Sequence, residues 1–89
     1  MSTSDQNPYN AAHISGEYTT RRDGGIRYAY HGSWWVENDL VIWRVQVWDE
    51  GVLKGESDGR ILSPPKDHIR LVVKGMIEQS IESGAAIGP

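Results

Sequence analysis

Between residues 41 and 47 the chain alternates with period two: Val41, Trp43, Val45 and Val47 fall on one side, and Ile42, Arg44 and Gln46 on the other. A strand with one uniformly apolar face and one mixed face is half-buried, and this fixes its register against any neighbour. The neighbour lies just upstream. Residues 26–36 put Ile26, Tyr28, Tyr30, Gly32, Trp34 and Val36 on one face, and Arg27, Ala29, His31, Ser33 and Trp35 on the other. The Asn38-Asp39 pair between the two runs tolerates the positive φ of a two-residue hairpin turn. Pairing about that turn sets Val36 beside Val41, Trp34 beside Trp43, Gly32 beside Val45 and Tyr30 beside Val47. A slip of one residue would turn every apolar side chain to the wrong face. The missing side chain of Gly32 is expected to leave a hollow opposite Val45.

The flanking segments extend this hairpin. Asp49-Glu50-Gly51 reads as a three-residue loop with Gly at its left-handed position. It would set Leu53 opposite Val47 on the apolar face and Glu56 opposite Arg44 on the other, in a strand ending near Ile61. Upstream, Asp23-Gly24-Gly25 is a turn signal, and a strand over 15–22 would set Tyr18 beside Tyr30. Near the C-terminal end, Ser63 suits an N-cap, Pro64 the first helical position and Gly84 the left-handed residue past the last turn, so a helix is expected over 64–83. Its apolar residues Ile69, Val72, Val73, Met76, Ile77 and Ile81 step by three and four and draw one stripe. The fold class expected is α+β: a three- to four-stranded antiparallel meander with one C-terminal helix packed on one face. Residues 13–83 form the single domain, with 1–12 and 84–89 as flexible tails.

Composition narrows the classes of function. In 89 residues there is room for one modest core, and with no Cys there is no disulfide framework, thiol nucleophile or thiolate zinc site. The net charge of −3, with acids and bases interspersed, makes no global case for nucleic acid or an anionic membrane. No signal-peptide pattern or membrane-length apolar run is present, so the expected location is cytoplasmic. The aromatic residues are Trp and Tyr, without Phe, and Tyr28, Tyr30, Trp34, Trp35, Trp43 and Trp48 cluster in one stretch. Each such ring carries a polar group that wants a partner, which suits a rim or an interface.

With the helix on one side of the sheet, the other side has no predicted cover. It would present Trp35 beside Ile42, Ser33 beside Arg44, His31 beside Gln46 and Ala29 beside Trp48. An apolar patch carrying Trp, Arg and His resembles an interface hot spot. The candidate binding residues are Trp35, Ile42, Arg44, Trp48, His31 and Gln46. The expected function is a non-enzymatic protein-interaction module, with a second copy or another protein as partner and no cofactor. Two alternatives are single-stranded nucleic-acid binding through the same face and an enzyme without a recognisable motif. Against an interface, the N-terminal segment with Tyr9 and Ile14 could fold over the face, or a bulge near Gly32 could turn Trp35 inward. His13, His31 and His68 have no metal-ligand spacing, and no nucleophile elbow or phosphate loop is present.

Two resemblances follow from the strand and helix order. Lys66, Arg70 and Lys74 on a helix after antiparallel strands superficially resemble the phosphate-contacting end of double-stranded RNA-binding domains, but that family's preceding helix and Gly-rich, Lys-Lys helix start are absent. As a whole, the Tyr28-x-Tyr30-x-Gly32 strand, the Asp49-Glu50-Gly51 turn and the helix from Ser63 resemble small uncharacterised bacterial proteins built as an antiparallel sheet plus a helix. This similarity implies fold rather than activity.

Overall fold

A computed structural model of the chain describes residues 11–22, 24–62 and 67–87. Its elements are β1 (Ala12–Thr19), β2 (Arg27–Glu37), β3 (Leu40–Asp49), β4 (Val52–Leu62) and α1 (Ile69–Glu82). The strands form one antiparallel sheet in the order β1-β2-β3-β4, a meander closed by the C-terminal helix. This is the expected α+β arrangement, with four strands.

The central hairpin follows its alternation. Asn38 (φ 51°) and Asp39 (φ 65°) both take the left-handed conformation of a two-residue turn. Val36 pairs with Val41, Trp34 with Trp43, Gly32 with Val45 and Tyr30 with Val47, without a register shift. The bulge considered near Gly32 is therefore absent. Nor does Gly32 leave a hollow on the apolar side: a Cβ there would fall against the Arg44 carbonyl oxygen and 2.8 Å from Val45 Cα, because the β2 and β3 backbones close over it.

Both outer strands pair differently from the sequence expectation. At the β3–β4 turn only Glu50 (φ 51°) and Gly51 (φ 82°) lie outside the ladder, so Asp49 pairs with Val52 and Trp48 with Leu53. The register then shifts at Lys54, an extra residue, and Val47 pairs with Gly55. Leu53 consequently lies on the face of Trp48, not opposite Val47, and it is Asp58, not Glu56, that faces Arg44. The two-residue turn and the bulge together displace the later pairs by two, so residues 55–62 keep their expected faces. On the other side β1 begins at Ala12, within the stretch expected as a tail, and sets Tyr18 beside Tyr28 and Gly16 beside Tyr30.

The helix starts later than expected, at Ile69, after His68 in the left-handed region (φ 69°) with no side-chain cap. The proposed Ser63 and Pro64 cap lies outside the described residues. At the other end Gly84 (φ 88°) donates its amide to the Ile81 carbonyl at 3.1 Å, and Ala86 donates to Ser80 at 3.0 Å, which satisfies carbonyls the helix leaves open. Where the sequence reads a featureless end, Ala86 is fully buried and Ile87 packs on the core. The core joins Val73, Ile77 and Ile81 of α1 to Ile14, Tyr28, Tyr30, Val41, Trp43, Val45 and Val47 of the sheet. Met76 lies at the margin of the helix stripe, 40% exposed.

One polar cluster fixes the helix to the sheet. The Tyr18 hydroxyl donates to Glu82 Oε1 at 2.6 Å, the Arg21 amide donates to the same oxygen at 2.9 Å, and the Arg22 amide to Oε2 at 3.3 Å. The Arg22 side chain donates to the carbonyls of Glu82 (2.5 Å) and Ile81 (3.2 Å). A cation from the β1–β2 connection thus sits at the negative end of the helix dipole, where α1 itself supplies no basic residue. The Tyr18 hydrogen bond, followed by those from the Arg21 and Arg22 amides, holds the Glu82 carboxyl below its usual pKa. The same bond, with desolvation, raises Tyr18.

Candidate functional site: the outer sheet face

The face opposite α1 is built from alternate residues of all four strands, and strand pairing arranges them in rows. Trp35, Ile42 and Arg60 make one row, and Trp48, Ala29 and Leu53 another. Between them lie His13-Ser33-Arg44-Asp58 and Ser15-His31-Gln46-Glu56. All six residues singled out from sequence occupy this face. His31, Arg44 and Gln46 are exposed, whereas Trp35, Ile42 and Trp48 are half-buried.

The rows divide the patch that the sequence suggests. Trp35 and Trp48 are not neighbours; two polar rows separate them, and each ring sits against its own aliphatic partner. Trp35 Nε1 donates to Glu37 Oε1 at 3.2 Å across the strand end. Trp48 Nε1 is buried and has no hydrogen-bond partner among the described residues, a state it shares with Trp34 and Trp43. The face is therefore a polar centre between two aromatic ends. Ile14, considered as cover for it, lies instead in the core on the helix side, 4% exposed, and Tyr9 is outside the described residues.

The centre is concave. A hollow of about 390 Å³ is lined by His31, Ser33, Arg44, Gln46, Glu56 and Asp58, with backbone of Gly32 at its floor. It coincides with the close approach of β2 and β3 at Gly32. A second hollow of about 210 Å³ adjoins it, between Trp35, Ile42, Asp58 and Arg60. Gln46 Nε2 donates to Glu56 Oε2 at 3.3 Å, and both side chains are exposed. Arg44 faces Asp58 across the strands, yet among the described residues no hydrogen bond or ion pair joins them. One guanidinium and two carboxylates thus share the hollow, and it can offer donors and acceptors to the same ligand.

The sequence expectation pairs Glu56 with Arg44, and Asp58 and Ser33 are not among the candidate binding residues it offers. The bulge at Lys54 brings Asp58 opposite Arg44, and nothing in a strand polar on both faces announces it. Among the described residues no group of three His, Cys, Asp or Glu side chains could hold a metal ion, and no helix is long and apolar enough to cross a membrane. No protein family, curated protein or solved structure matches the chain.

Proposed function

We propose that this protein is a small, non-enzymatic, cytoplasmic interaction module that holds a segment of a partner protein across its outer sheet face. The supporting observation is the gathering of His31, Arg44, Gln46, Trp35, Ile42 and Trp48 on one face, around a hollow that no described residue fills. The polar centre fits main-chain and mixed-charge groups, and the ends at Trp35–Ile42 and Trp48–Leu53 fit apolar side chains about 20 Å apart, six residues of strand at ~3.3 Å each. A partner in extended conformation spans both. Glu56 and Asp58 beside Arg44 weigh against a phosphate backbone and favour a polypeptide.

Selection from a random peptide library on the immobilised protein tests the reading. Enriched peptides are expected to lose about tenfold or more in affinity against Arg44→Ala, and similarly against Trp35→Ala with Trp48→Ala, with far-UV circular dichroism unchanged. Peptides indifferent to all three residues would refute the site. Salt-sensitive binding of a single-stranded oligonucleotide, lost on Arg44→Ala, would put nucleic acid in its place.

A further inference from the structure

The two edges of the sheet are not alike. At β1 the helix is bonded to the strand near both of its ends: Arg70 Nη2 donates to the His13 carbonyl at 3.1 Å, and Glu82 accepts from the Tyr18 hydroxyl and from the Arg21 and Arg22 amides just beyond the strand. Among the described residues no such bond reaches β4. The strand runs from Val52 to Leu62, its residues are half-buried or exposed, and among the described residues only β3 pairs with it. Val52, Leu53 and Leu62 expose 57%, 44% and 78% of their surface. The helix packs chiefly on β1 and β3 rather than on β4. A long bare edge is a template for another strand.

We propose that β4 pairs with β4 of a second copy, antiparallel about a two-fold axis through Gly59, joining two four-stranded sheets into one of eight strands. A two-fold axis normal to the sheet pairs like face with like face, so the axis must pass through a residue, and among Ser57, Asp58, Gly59 and Arg60 the charges on β4 choose one. An axis through Ser57 sets Glu56 against the partner's Asp58, twice. An axis through Asp58 or Arg60 sets that charge against its own copy. Through Gly59, Arg60 faces the partner's Asp58 in two symmetric pairs, Ser57 faces the partner's Ile61, and Glu56 faces the partner's Leu62. Like charges never meet in this register, and acids that would otherwise guard the edge select it.

Gly59 suits the axis for a second reason. The Trp43 ring lies over it, so close that a Cβ would sit 2.7 Å from Cε2, Cζ2 and Nε1. In the pair the two Trp43 rings approach across adjacent glycines, while the helices, set toward β1, remain apart. The outer faces of the two copies become one continuous surface, which leaves Arg44 and both outer tryptophans free.

The native chain has no Cys, so introduced thiols report the register directly. Sedimentation equilibrium is expected to show a dimer that Arg60→Glu weakens by about tenfold or more, as does Asp58→Arg, while the double variant Asp58→Arg with Arg60→Asp recovers it. Mild oxidation of Glu56→Cys with Leu62→Cys is expected to give a disulfide-linked dimer. Circular dichroism of each variant separates lost pairing from lost fold. A native chain that stays monomeric at about 1 mM overturns the proposal. So does a dimer that ignores residues 58 and 60, or one broken by Trp35→Ala and Trp48→Ala, since that places the second copy on the outer face instead.

Discussion

Gly16 and Gly59 lie on the two edge strands, each directly opposite a ring of a central strand: Tyr30 and Trp43. Each ring extends over its glycine, with a Cβ on Gly16 falling 2.8 Å from Tyr30 Oη. Rings of this kind cover edge glycines and replace the packing that a missing side chain forfeits. Gly32 has a different role, because its neighbours are backbone atoms that cannot turn aside. Gly32→Ala is therefore expected to cost about 3 kcal/mol in urea unfolding, whereas Gly75→Ala, on an open stretch of helix, should gain about 0.5–1 kcal/mol. A smaller loss at Gly32 than at an ordinary exposed strand position would show that the strands can part there. The same scale explains the aromatic cluster. Burial of Tyr28, Tyr30 and Trp43 is legible from period two, but among the described residues the expectation that each polar group finds a partner holds for Trp35 and Tyr18 and not for the indoles of Trp34, Trp43 and Trp48. Those three rings contribute area, at the expense of unmade bonds worth roughly 1–3 kcal/mol each.

At the scale of elements, the β2–β3 hairpin was legible because a turn with one plausible length joins two strands with sharply unequal faces. β4 lacks that contrast. A three-residue loop and a two-residue turn followed by a bulge leave residues 55–62 on the same faces, and before the bulge Val52 and Leu53 change sides. In β1 the faces are distinct, with Ala12, Ile14, Gly16 and Tyr18 on one and His13, Ser15, Glu17 and Thr19 on the other, but pairing Tyr18 with Tyr28 or with Tyr30 keeps the same faces, so alternation does not choose between them. The acids on the second half of α1, unfavourable toward the helix dipole, make sense only through tertiary structure, since Glu82 accepts from Tyr18 and two backbone amides. Its depressed pKa has a definite sign. The stabilisation is present above the carboxyl's unfolded value and is lost as pH falls through the lower folded value. Tyr18, whose pKa is raised, adds stability below about pH 10 that disappears as pH climbs through its folded value. Melting temperatures measured against pH should fall at both ends, and Glu82→Gln should flatten the acid limb and lower the plateau. An unchanged acid limb would place that titration elsewhere.

At the scale of the molecule the described residues make two layers, one sheet and one helix, with a shortest extent of 19 Å. Among the described residues this leaves one face of the sheet without a covering layer, and it predicts a gradient of protection. Amide exchange at low protein concentration should be slowest in β2 and β3, with a ladder partner on each side, and fastest along the outer side of β4. Raising the concentration should slow exchange over residues 56–62 specifically; uniform slowing along the chain would instead point to general aggregation. The cluster around Glu82 also bears on the order of assembly. The meander is made of hairpins whose strands are neighbours in sequence, but the Tyr18–Glu82 bond closes a loop of 64 residues. Such a closure loses the most chain entropy and forms after the local ladders have shortened the path between its ends. The helix is thus expected to dock last, so that in stopped-flow kinetics Glu82→Gln should speed unfolding far more than it slows folding; a folding rate that falls by the full loss of stability would place the anchor in the transition state instead.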